Sequence, residues 1–78
     1  MDYNKFFDWL VNEKRMSERS ARDVISRSRR ALVIVKQKEI NSDTMKLLTV
    51  STEFANCSMS IKSQLKRAVT LYMIFTAN

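Results

Sequence analysis

The sequence predicts an all-α fold, a compact four-helix bundle in a single domain, and three observations predict it. The 78 residues contain no glycine and no proline, so hairpin turns that need a positive φ at glycine have no residue suited to them. Apolar residues recur at i, i+3, i+4 and i+7 along most of the chain, the spacing of one helix face. Asn, Ser, Asp and Thr gather at short joints between those stretches, where they make turns and caps.

The first helix is expected over residues 3–14. It starts near Asp2, and Tyr3, Phe6, Phe7, Trp9 and Leu10 form its wide apolar face, with Trp9 as a core anchor. The second is expected over residues 17–38: the Ser17 hydroxyl can cap the free amides of the first turn, and Glu18 suits the positive end of the helix dipole. On this helix Ala21, Val24, Ile25, Ser28, Leu32 and Val35 share one side, and Arg22, Ser26, Arg29 and Arg30 lie opposite. The apolar side spans roughly 120° of arc, enough to bury against neighbouring helices while the arginines stay in water.

Glu39-Ile40-Asn41-Ser42 is a joint, after which Ser42 or Asp43 can cap a weaker third helix over residues 43–56 that carries Met45, Leu47, Leu48 and Phe54. Thr49-Val50-Ser51-Thr52 is a poor helix interior, because β-branched side chains lose rotamer freedom and hydroxyls compete for backbone bonds. A break or 3₁₀ turn is expected there. Asn56 to Ser60 forms the next joint, with Ser58 or Ser60 as cap of a fourth helix over residues 60–76. Ile61, Leu65, Ala68, Val69, Leu71, Tyr72 and Phe75 fall within about 160° of its circumference, and Lys62, Ser63, Lys66, Arg67 and Thr70 occupy the rest.

Composition bounds the function. With 45% apolar residues the chain is globular rather than disordered. No run of 18 apolar residues suggests a membrane span, and the start MDYNKFFDWL lacks the basic region and cleavage site of a signal peptide. The single Cys57 cannot form an internal disulfide, so a cytoplasmic location is expected, with Cys57 a small packed hydrophobe. There is no histidine to activate a thiol or bind zinc, and no glycine-rich loop to cradle a nucleotide phosphate. Asp2, Asp8 and Glu13 lie on the outer side of one helix as solubilising charge. The expectation is a protein that is not an enzyme and takes no cofactor, metal or small-molecule substrate.

What remains is positive charge. Lys and Arg number 14 against eight acids, a formal charge of +6. Such a balance is common on solvated surfaces, but the division of labour on the second helix recurs on the fourth, and it attracts an anionic polymer. Arginine supplies every cation between residues 15 and 30, and its planar fork suits bidentate contacts with phosphate or guanine. Ser26 and Ser63, set among the charges, can donate shorter bonds to phosphate oxygens. The candidate DNA-binding residues are therefore Arg19, Arg22, Ser26, Arg29 and Arg30 on the second helix, and Lys62, Ser63, Lys66 and Arg67 on the fourth.

The string Phe6-Phe7-Asp8-Trp9-Leu10, then Ser17-Glu18-Arg19-Ser20-Ala21-Arg22-Asp23-Val24-Ile25-Ser26-Arg27, resembles the N-terminal core-binding domain of phage integrases and other tyrosine recombinases. That family shows an aromatic residue before Trp-Leu, a short basic loop, and Ser-x-x-Thr opening a helix with an aromatic or apolar residue four positions on. Ser20, in place of the threonine, and Val24 stand at those places. Ser60-Ile61-Lys62-Ser63-Gln64-Leu65-Lys66-Arg67-Ala68, with Leu71-Tyr72 and Phe75, is similar to the domain's closing helix. The resemblance implies a SAM-like bundle forming half of a clamp around duplex DNA, with the second and fourth helices near the major groove. It also implies that a catalytic domain would follow residue 78. Tyr3 and Tyr72, each on an apolar face, are not that domain's nucleophile.

Either the chain is a recombinase-derived module, or it is a stand-alone phage or mobile-element protein that kept the fold without the chemistry. A protein-interaction module is the alternative, docking on a recombinase domain, a repressor or another phage or host protein. Its motivation is Val33 and Ile34 in the second helix and Met73 and Ile74 in the fourth, which stand on otherwise polar arcs and either pack internally or form a patch. A membrane-surface helix is disfavoured, because the apolar arcs are needed for a core.

Overall fold

Asp2 opens the first helix, α1 (Tyr3–Asn12), by accepting the Lys5 amide at 3.1 Å. The structure, a computed structural model, describes residues 2–77. Four more helices follow: α2 (Glu18–Val35), α3 (Thr44–Thr49), α4 (Thr52–Ala55) and α5 (Met59–Ala77), with no strand among the described residues. Ser17 caps α2 through a 3.1 Å bond from the Ser20 amide, and Ser58 caps α5 through a 3.2 Å bond from the Ile61 amide. The radius of gyration, 11.9 Å, matches the roughly 11.5 Å of a compact chain of this length.

The described residues form five helices rather than four because the segment over residues 43–56 divides within the anticipated hydroxyl-rich stretch, at Val50 and Ser51. Packing explains the division. Leu48 and Phe54 are both buried, yet an unbroken helix would set residues six apart about 120° from each other around its axis. The break lets both reach one core. Asp43 makes no side-chain cap bond, contrary to expectation. The turn is organised instead by Thr44, which is fully buried: its Oγ1 accepts the Asn41 amide at 2.9 Å and donates to Gln37 Oε1 at 2.7 Å.

The first helix stops at Asn12 rather than residue 14, and the second at Val35 rather than residue 38. The second difference has a clear cause. Lys36 takes the left-handed conformation, φ 59°, and Gln37 and Lys36 donate to the Leu32 and Val33 carbonyls at 3.1 and 3.3 Å. This is a Schellman closure made without glycine. Had α2 continued, Ile40 would lie in line with Arg22, because 18 residues make five whole turns at about 3.6 residues each. It would then stand in water among the arginines. Turning out leaves Ile40 only 6% exposed, worth about 1.5–3 kcal/mol, against about 1–2 kcal/mol for a left-handed non-glycine residue.

The long helices α2 and α5 form the most extensive contact of the fold. Ala21, Val24, Ser28 and Ala31 of α2 are buried, as are Leu65, Ala68 and Val69 of α5. The small residues let the backbones approach, and the buried Ser28 hydroxyl satisfies itself on the Val24 carbonyl at 3.0 Å. α1 closes one end through rings: Phe6 meets Tyr72 edge-on at 5.0 Å and Phe75 at 5.3 Å, and Trp9 lies 5.6 Å from Phe75. Trp9 is half-buried, so the fully buried anchors of α1 are Phe6 and Leu10. Cys57 is half-buried, a free thiol packed against the core as anticipated.

Leu65→Ala is expected to destabilise the fold by about 2–5 kcal/mol, since it empties a fully enclosed site between the two long helices; chemical denaturation measures it. Lys36→Gly is expected to act in the opposite direction, stabilising by about 0.5–1 kcal/mol by relieving the left-handed strain. A fall in denaturation midpoint for Lys36→Gly would contradict the account of the α2 terminus.

Candidate nucleic-acid interface

The outward side of α2 is defined by what its inward side buries. Taking about 100° per residue, Arg19, Arg22, Ser26, Arg29 and Arg30 fall within about 100° of arc, opposite Val24, Ser28 and Ala31. All five are exposed. The ridge runs about 16 Å along the axis, at about 1.5 Å per residue. Glu18 and Asp23 fall just outside its two edges, so no carboxylate of α2 interrupts it. Val33, 73% exposed, continues the same line toward the C-terminal end.

Several of the chain's cations rest on neutral groups. The Arg29 guanidinium lies 5.4 Å from the centre of the Tyr3 ring, Lys62 Nζ lies 5.9 Å from that of Phe54, and Lys14 Nζ lies 5.3 Å from that of Trp9. Arg27 Nε donates to Gln64 Oε1 at 2.7 Å, and an Arg30 terminal nitrogen stands 3.9 Å from the Cys57 sulfur. Ring faces and an amide oxygen orient these side chains without cancelling their charge.

The basic residues of α5 occupy a different place. Gln64 turns toward α2, and Lys62 and Lys66, two residues either side of it, lie about 160° around the helix. Lys62, half-buried against Phe54, marks that flank as the side next to α4. Ser63, Lys66 and Arg67 are exposed. On α2, Arg29 is likewise about 160° from Arg27 and borders α1. The structure therefore does not merge the Arg22/Arg29 ridge with the Lys62/Lys66 flank. The basic side chains it brings together are Arg27 and Arg67, which line a cleft of about 160 Å³ between α2 and α5 with Ser20, Asp23 and Gln64.

Arg27 and Gln64 were not among the candidate DNA-binding residues. A signal existed: Arg27 borders the apolar arc of α2, three residues from Val24, and a border position lies beside the neighbouring helix. Of the apolar residues considered as a patch, Ile34 is buried and Met73 half-buried, while Val33 and Ile74 are exposed. Ile74 lines a second groove with Trp9, Glu13 and Lys14. No helix among the described residues is long and apolar enough to cross a membrane, and no group of three or more metal-binding side chains occurs among them.

Two phenols lie behind the ridge, where α1 meets α5. Burial pushes Tyr72 above the ordinary value of 10.0; the charge of Glu39 and its long 3.5 Å hydrogen bond from the Tyr72 hydroxyl add to the rise. Burial likewise raises Tyr3, while Arg29 pulls it down and Glu39 pushes it up. No protein-family model, curated protein or solved structure matches this chain.

Because the neutral phenols are favoured in the folded state, their contribution to stability is present below the unfolded value of 10.0 and is lost as pH rises through the higher folded values. Phenolate absorbance is therefore expected to appear above pH 10.0 in the native protein and to move down toward the ordinary tyrosine value of about 10 in denaturant. A native titration at or below the denatured one would contradict the packing of both rings.

Proposed function

We propose that the chain is a non-catalytic DNA-binding module, one that presents the arginine ridge of α2 to duplex DNA and carries Lys62, Ser63, Lys66 and Arg67 of α5 as accessory contacts. The observation that supports it most is the ridge itself: four guanidiniums and a serine hydroxyl on one exposed arc of a single helix, with acidic residues only at its margins. The major groove, about 12 Å wide, admits an α-helix. Arg19, Arg22, Arg29 and Arg30 then have phosphates or guanine edges within reach, and Ser26 donates to phosphate. The likeness of Phe6–Leu10 and Ser17–Arg27 to the core-binding domain of tyrosine recombinases favours the same reading and adds its SAM-like arrangement to it. Arg22 and Lys62 belong to separate flanks, so a duplex gripped by both helices must span the molecule or bend around it.

A second reading has one observation in its favour. Ile74, 41% exposed, forms a groove with half-buried Trp9, a surface on which a recombinase domain, a repressor or another phage or host protein can dock.

Anisotropy of labelled duplex DNA separates the two. With about five phosphates engaged, log K is expected to fall against log salt with a slope of about −4 to −5, several hundredfold in affinity between about 50 and 200 mM. Arg22→Gln combined with Arg29→Gln is expected to weaken binding at least about tenfold and to reduce the slope by about two. Absence of binding at low salt would reject the DNA reading.

A further inference from the structure

We propose that the cleft between α2 and α5 binds one phosphate group, held between the guanidiniums of Arg27 and Arg67. The two cations come from different helices and line a single cleft with one carboxylate, Asp23, which leaves the walls with a net positive charge. Arg27 is half-buried, where a charge is screened less than at the open surface. Its Nε is engaged by Gln64 Oε1 at 2.7 Å, which fixes the guanidinium plane and leaves four of its five N–H donors on the terminal nitrogens. A fork held in this way suits an oxyanion.

Ser20 supplies a third direction. Ser17 Oγ donates to Ser20 Oγ at 3.1 Å while accepting the Ser20 amide, so the Ser20 hydroxyl keeps its own hydrogen to give. Donors from Arg27, Arg67 and Ser20 fit a tetrahedral ligand with several oxygens better than a planar carboxylate with two. The volume agrees: about 160 Å³ far exceeds the roughly 10–15 Å³ that one water needs, leaving room for a phosphate group. It is well below the roughly 300 Å³ from which enclosed organic-ligand pockets begin. The phosphate can be a diester of a nucleic-acid backbone or a free ion. This site lies on the flank of α2 away from Arg29, so it stands or falls apart from the arginine ridge.

Inorganic phosphate titrated into the full chain against chloride at matched ionic strength, followed by amide and arginine Nε–H resonances, tests the site. Saturable shifts are expected at Ser20, at the Arg27 Nε–H and at Arg67. Arg67→Gln is expected to weaken phosphate about tenfold, the loss of one charge-assisted contact, and Asp23→Asn to tighten it several-fold by removing the opposing carboxylate. Both side chains are exposed, and unchanged amide shifts elsewhere confirm that the variants remain folded. Linear, unsaturable shifts, or affinities indifferent to both substitutions, overturn the proposal. With the site established, competition between phosphate and duplex DNA at these resonances identifies a backbone diester as its source. Phosphate binding that duplex leaves untouched identifies a free ion.

Discussion

Close approach of α2 and α5 is the constraint on which the remainder of the molecule depends. A 78-residue chain buries only about 60–65% of the surface its unfolded state exposes, less than a larger domain does, so its two longest helices must share one another's apolar sides. Ala21, Ser28 and Ala31 are small buried positions of α2, and Leu65, Ala68 and Val69 are buried on α5. That choice fixes which way every other residue of α2 points. The arginines stand outward because Ala21, Val24, Ser28, Ala31, Leu32 and Ile34 are buried on the other side, and Arg27 meets Gln64 at the border of that buried side.

Around this pair the smaller elements are placed by what each must cover. α1 lays Phe6 and Trp9 against Tyr72 and Phe75, and α3 and α4 bring Leu48 and Phe54 in from the other side through a break. The turns do without glycine, and among the described residues Arg15 and Lys36 take positive φ instead. Hydroxyl and amide side chains do the rest: Thr44 with Gln37 and Asn41, Ser17 with Ser20, Ser58 with Ile61. Local polar bonds of this kind replace the backbone freedom that glycine would give.

Helix type and inward faces were legible in the sequence because periodicity reports them directly. Phe6, Leu10, Val24, Leu65, Val69 and Tyr72 were all assigned to the apolar sides on which they are found. The end of α2 was not legible, since no helix breaker marks it; it depends on the burial of Ile40, a tertiary fact. Thr44 also escaped, because a buried threonine bonded to a glutamine seven residues earlier leaves no local pattern. The outward arginines of α2 were legible as exposed. Their relation to Lys62 and Lys66 was not, because helical wheels give directions about each axis but say nothing of how two axes are oriented to each other. For the same reason the Arg27, Arg67 and Asp23 cleft had no counterpart in the sequence.

The sole tryptophan stands where α1 touches α5, against the mutually packed Phe6 and Phe75 rings and beneath the Lys14 ammonium. An indole placed there changes its surroundings as soon as the N-terminal helix lifts, whether or not the central pair holds. The chain thus contains a built-in optical reporter for the loosening of the joint between α1 and α5, distinct from global unfolding.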